Sequence, residues 1–203
     1  MAVNWYVAAA PEPGFPHFDN KQDVTITLTK IGSGAAATYQ LTATYNPGGS
    51  FLFQYDPWTS FNVTGGTYQL TANFNSGATL TGGSITINGS IPGYNVAGTS
   101  APSSSLLYKA DLLAYGVDST PDATPAALAL KTGNTDPTSW AYQFQKTGQE
   151  SIYLYDFNVA ALMSSFNSAK FKSVQFTKAS NLTTVPLPAA FWLFGSALAT
   201  LAG

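Results

Sequence analysis

A two-residue alternation of apolar and hydroxyl or amide side chains runs through most of the first 180 residues. Val24, Ile26 and Leu28 alternate with Thr25, Thr27 and Thr29. Tyr39, Leu41, Ala43 and Tyr45 alternate with Thr38, Gln40, Thr42 and Thr44, and Tyr68, Leu70, Ala72 and Phe74 with Thr67, Gln69, Thr71 and Asn73. Ile85, Ile87 and Ile91 are interleaved with Ser84, Thr86, Asn88 and Ser90. Successive side chains of a strand point to opposite faces, so this period defines strands with one buried and one wetted face. It excludes a helical protein, whose apolar residues recur every three or four positions.

Shorter or looser strand signals lie at Phe51–Tyr55, Leu106–Tyr115, Ala126–Leu130, Trp140–Gln145, Ser151–Phe157 and Lys170–Lys178. In Ser151–Phe157 both faces are apolar, because Ile152 and Leu154 oppose Tyr153 and Tyr155; that strand is expected to be central and buried. Turn signals separate the runs, among them Asn46-Pro47-Gly48-Gly49, Asp56-Pro57, Asn75-Ser76-Gly77 and Asn134-Thr135-Asp136-Pro137. Val159–Phe166 is the one helical candidate. Many short strands with Gly/Pro turns predict an all-β domain, an antiparallel β-sandwich of jelly-roll type, over residues 1–180. Residues 181–184 then read as a short polar linker. Thr38-Tyr39-Gln40-Leu41-Thr42-Ala43 recurs unchanged at Thr67–Ala72. The echo marks either two similarly placed strands of one sheet system or a duplication.

Charge is scarce: 9% of the 203 residues, with 8 basic and 10 acidic side chains and a net charge of −2. All the basic residues are lysine. With no basic stripe, nucleic acid is excluded as a partner class. The absence of cysteine removes disulfides, thiol catalysis and cysteine-ligated metals.

Catalytic constellations are thin. His17, the sole histidine, lies in Phe15-Pro16-His17-Phe18-Asp19 without a nucleophile motif. Glu12 and Glu150 are the two glutamates, and Asp56, Asp111 or Asp156 could supply a carboxylate to a glycosidase-type pair. The chain is therefore read as no enzyme and as carrying no cofactor. Ca²⁺ stays open at Asp118 and Asp122 or at His17 and Asp19, residue types that form turns as readily as ion sites. A carbohydrate-binding face is open too, with Trp58, Trp140 and Tyr142 as stacking candidates; on a strand, Trp140, Tyr142 and Phe144 would share one face, which could equally be core.

After residue 184 the composition changes. Val185–Gly203 reads VPLPAAFWLFGSALATLAG, 19 residues without a charge. The run is near the roughly 20 residues a helix needs to cross a bilayer. On hydropathy alone it is a membrane helix, a buried terminal helix or a last strand, and few β-branched residues argue against the strand. Pro186 and Pro188 stand where a helix would begin, and Phe191 and Trp192 where an interfacial aromatic belt would lie.

This tail resembles the PEP-CTERM sorting signal of exported proteins in Gram-negative bacteria. Val185-Pro186-Leu187-Pro188 occupies the place of the Val-Pro-Glu-Pro type motif, with Leu187 where the strict motif has glutamate. Ala189-Ala190-Phe191-Trp192-Leu193-Phe194-Gly195-Ser196 matches the family's PAAxWLFGS wording. The family's signal ends in a basic cluster, which would be expected beyond Gly203, as a signal peptide would be before Met1. The resemblance implies a C-terminal hydrophobic membrane helix over residues 185–203 and recognition by an exosortase-type membrane protease. It further implies transient anchoring in the inner membrane and a final place at the cell surface or outside the cell, in association with exopolysaccharide.

Overall fold

The computed structural model describes residues 16–117, 127–144, 151–166, 168 and 170–184. Within them lie the strands β1 (His17–Ile31), β2 (Thr38–Tyr45), β3 (Phe51–Gln54), β4 (Ser60–Asn62), β5 (Thr64–Phe74), β6 (Leu80–Ser90), β7 (Leu106–Val117), β8 (Ala127–Thr135), β9 (Ser151–Tyr155) and β10 (Ser173–Thr184). The helix α1 spans Val159–Ser165; the Asn158 side chain caps it by accepting the Ala161 N–H at 2.9 Å.

Every strand pairing is antiparallel. From β5 to β10 each strand lies beside the next, β5 returns against β2, β2 pairs with β1, and β10 pairs with β1. The result is a closed eight-stranded antiparallel barrel, and it corrects the expected jelly-roll-like sandwich. Alternation specifies that one face is buried; a sandwich and a barrel meet that demand equally, and only the β1–β10 ladder decides between them. β3 and β4 form a side flap, in which Phe51–Gln54 pairs with His17–Asn20 of β1.

The expectation of a hydrophobic helix following the domain is corrected with the sandwich. Among the described residues no helix is long and apolar enough to cross a membrane. Residues 185–203, on which that expectation falls, lie outside the described residues. Two further expectations change. Asn181–Thr184 is no linker; it is the end of β10 and pairs with β1 and β9. Of the strand expected over 140–145, Trp140–Gln143 forms a 3-10 turn instead, and Gln145 lies outside the described residues.

The barrel interior collects the alternating apolar residues. Val24, Ile26 and Leu28 meet Leu41, Ala43, Leu70, Ala72, Ile85, Ile87, Leu128, Leu130, Ile152 and Leu154. Each fully buried aliphatic side chain of this kind contributes about 1.5–3 kcal/mol. The echoed segments are adjacent strands of this wall. They pair so that Leu41 faces Ala72 and Ala43 faces Leu70, a large residue opposite a small one at each level. On the outside Gln40 donates to Asn73 at 3.2 Å.

Aromatic rings fill both ends of the barrel. At one end Phe18, Phe53, Tyr94, Trp140 and Phe144 pack with centroid separations of 4.9–6.1 Å. At the other, Phe166 after α1 packs on Tyr39 and Phe74 at 5.0 and 5.2 Å.

Between these plugs the lining is partly polar. β1 is irregular between Asn20 and Val24, with Gln22 at φ 58°, and β10 carries Lys178 at φ 62°. The bulge at Lys178 changes the inward parity of β10. Val174 and Phe176 face inward before it, and Ala179, Asn181 and Thr183 after it. Asn20 and Asn181 are therefore register partners inside the barrel, both fully buried.

β6 needs a glycine where it crosses β5. Gly83 has φ 153°, and a Cβ there would stand 2.2 Å from the Thr71 carbonyl oxygen and 3.0 Å from Leu112. Gly83→Ala is expected to destabilise the fold by more than about 2 kcal/mol. Gly77→Ala, whose Cβ would meet only the Asn75 side chain at 3.4 Å, should stay within roughly 0.5 kcal/mol of the parent. Denaturant midpoints measure both, and equal midpoints would contradict the close strand approach.

Candidate functional site

An open concavity lies where the end of β8 meets β7. Lys109 and Asp111 occupy outward positions of β7, alternating with the inward Tyr108, Ala110 and Leu112. The end of β8 contributes Asn134, the turn after it Asp136 and Pro137, and the 3-10 turn Tyr142. Together they enclose about 490 Å³.

Asp136 organises this wall. Its carboxylate accepts the Thr138 hydroxyl at 2.6 Å and the Thr138 backbone N–H at 2.9 Å, and the Lys109 ammonium stands 3.0 Å away. The Thr138 hydroxyl first, then its N–H and Lys109, hold the Asp136 carboxyl down at about 2. It stays ionised throughout the physiological range. The cleft thus offers one paired cation–anion couple, the outward carboxylate of Asp111, and the half-buried ring of Tyr142. Rings with adjacent carboxylates and amides suit ligands that present alternating C–H and O–H faces.

The aromatic candidates separate sharply. Trp58 is 91% exposed, at the tip of the β3–β4 loop. Its turn is fixed by Asp56, whose carboxylate accepts the Trp58 N–H at 2.8 Å, the Thr59 N–H at 2.7 Å and the Thr59 hydroxyl at 3.1 Å. Trp140 is 9% exposed, inside the aromatic plug, and its indole N–H donates to the Ser100 carbonyl at 2.7 Å. It is a core residue and presents no stacking face. The three candidates do not form one face, and only Tyr142 lines the cleft.

The remaining candidates lie away from this cleft, with His17, Asp19 and Asp156 near one another. His17 is buried on β1, opposite Gln54 of β3 and Thr184 of β10. Asp19, two positions on, is 6% exposed and faces outward, with Lys21 at 3.8 Å and its Oδ1 without a hydrogen-bond partner. Burial raises its carboxyl pKa, against the opposing pull of Lys21 and His17. Asp156 accepts the Ser180 hydroxyl at 2.5 Å. Burial, reinforced by Asp19 and Asp156, pushes the neighbouring Tyr155 up to about 12. Among the described residues no group of three or more His, Asp or Glu side chains is arranged to hold a metal ion. Glu12, Asp118, Asp122, Glu150, Val185–Pro188 and Ala189–Ser196 lie outside the described residues.

The cleft residues Lys109, Asp111 and Asn134 went unrecognised as a group in the sequence. Their strands were visible, but the register that brings the end of β8 beside Lys109 was not. Comparison with known protein families, with curated proteins and with solved structures finds no match.

Asp19 supplies a pH test. Its raised pKa means that folding favours the protonated form. Its stabilising contribution is fully present below the unfolded carboxyl's pKa and is lost as pH rises through the folded value. Asp19→Asn should therefore be more stable than the parent at neutral pH, with the gap closing on acidification. Urea midpoints from about pH 3 to about pH 7 measure this; a gap that widens toward acid would refute it.

Proposed function

We propose that this chain is an exported, non-catalytic surface or extracellular-matrix protein, sorted and processed through its tail by an exosortase-type membrane protease. The observation that carries this reading is the run Val185-Pro186-Leu187-Pro188 followed by Ala189-Ala190-Phe191-Trp192-Leu193-Phe194-Gly195-Ser196. The strand that precedes the run in the chain supports this reading. β10 is hydrogen-bonded to its last residue, Thr184, which is the register partner of His17. Pro186 and Pro188 carry no N–H to extend such a ladder. The motif thus follows the sheet directly and is chemically unsuited to joining it, which suits a segment that a protease must grip. The barrel wall is wetted by Thr, Ser, Asn and Gln in place of charge, and the closing ladder leaves the barrel itself no free edge.

Co-expression tests it. In a Gram-negative host with an exosortase, intact mass should show loss of the tail and the protein should leave the inner membrane; without the enzyme the tail should remain. Pro186→Ala/Pro188→Ala should retain the tail in both hosts. The same C-terminus and location with and without the enzyme would refute the proposal.

A second reading, a carbohydrate-binding module of such a surface protein, is favoured by one observation: Tyr142 shares a cleft with Asp111 and Asn134. Retention on an exopolysaccharide matrix should weaken about tenfold on Tyr142→Ala, equivalent to about 1.4 kcal/mol. Trp58→Ala tests the exposed loop in the same assay. No retention on any polysaccharide would end this reading.

A further inference from the structure

A row of polar side chains crosses the barrel interior beneath the Phe18–Phe53–Trp140 plug. Asn20 of β1 and Asn181 of β10 face one another, both fully buried. Thr183 donates its hydroxyl to Asn181 Oδ1 at 3.1 Å. The Tyr68 hydroxyl of β5, 1% exposed, lies beside Thr183 and has no partner in full hydrogen-bond geometry. Tyr108 and Thr132 share a hydroxyl pair at 3.2 Å farther along the wall.

Four atoms of this row have no hydrogen-bonding partner in the protein: Asn20 Oδ1, Asn20 Nδ2, Asn181 Nδ2 and the Tyr68 hydroxyl oxygen. Buried amides and hydroxyls are almost always satisfied, and those that protein cannot satisfy are met by ordered water. The unpartnered set mixes donors with acceptors and carries no charge. Asp19, the adjacent carboxylate, points to the opposite face of β1. A cation would find too few oxygens here, and an anion would be repelled by Asn20 Oδ1. A molecule that both donates and accepts fits all four atoms.

We infer that the barrel encloses a sealed polar chamber whose walls, Asn20, Asn181 and Tyr68, bind a small cluster of water molecules. The occupants number on the order of two, since a buried water makes roughly three hydrogen bonds. They are trapped when the chain folds: the aromatic plug closes one side, and Val24 and Ala179, both fully buried, form the next inward level on the other. The sequence hides this chamber, because Asn181 and Thr183 look like solvent-facing residues until the Lys178 bulge turns them inward.

A high-resolution crystal structure of the unaltered chain decides the point. Density for water within hydrogen-bond distance of the Asn20 and Asn181 amides and the Tyr68 hydroxyl is expected. A dry interior, or a direct Asn20–Asn181 amide pair, would overturn the inference. In solution, water relaxation dispersion should show long-lived internal water, and Asn20→Leu/Asn181→Leu, if folded by circular dichroism, should lose that component. Tyr68→Phe should diminish it in a milder variant if the double one does not fold. A component unchanged in a folded variant would overturn the inference, as would a larger neutral solute released on denaturation and detected by mass spectrometry.

Discussion

The ladder between β1 and β10 is the interaction on which the rest of the structure rests. It runs from His17 opposite Thr184 to Thr29 opposite Ser173, interrupted by the irregularities near Gln22 and Lys178. Without it the sheet would be open, with two long bare edges that invite pairing with other chains. With it, the alternating faces curl into one enclosed interior. It also joins the two ends of the described chain, so the contact that seals the barrel spans nearly its whole sequence. Long-range pairing of this kind is generally slow to form, because loop-closure entropy is lost before the contacts are gained. The Gln22 N–H bond to the Ser180 hydroxyl, 2.8 Å, holds the two strands together at the level where both bend.

Strand positions were largely legible in the residues. Val24–Leu28, Tyr39–Tyr45, Tyr68–Phe74 and Ile85–Ser90 have a period of two, and each is a strand in the barrel. Ser151–Phe157, apolar on both faces, contains β9, which lies between β8 and β10 with Ile152 and Leu154 inside and Tyr153 packed against Ala127, Ala129 and Leu182. The helix at Val159 is equally visible. Closure was not. Alternation carries no information about which strands are neighbours at long range, and β10 hides its second half behind a parity change and a polar interior. The Trp140 segment failed for a related reason: Trp140, Tyr142 and Phe144 have the spacing of a strand, but with Pro137 just before them the chain coils into a tight turn that drops two of the three rings into the plug.

The candidate site was less legible than the fold. Tyr142 was visible as an aromatic and Asp136 as a turn residue, Lys109 was not singled out, and nothing linear connects the three. The barrel brings them together through the β7–β8 register and through the Asp136 N–H, which bonds the Lys109 carbonyl at 2.8 Å. In a chain so poor in charge, the Lys109–Asp136 pair stands out on the surface. It is half-exposed, so its worth lies in fixing the shape of the cleft wall and little in stability.

The run of β10 to Thr184 sets a length. Residues 185–188 span at most about 14 Å even when fully extended, so Pro188 cannot lie farther than that from the rim of a folded barrel. A linker over 181–184 would have doubled this reach. Any enzyme or membrane surface that engages the Pro motif must therefore come nearly into contact with the barrel, or meet a chain whose last strand has peeled away. The terminal strand is thereby a spacer as well as a seal: how far the tail can travel from the domain reports whether the ladder at its base is closed.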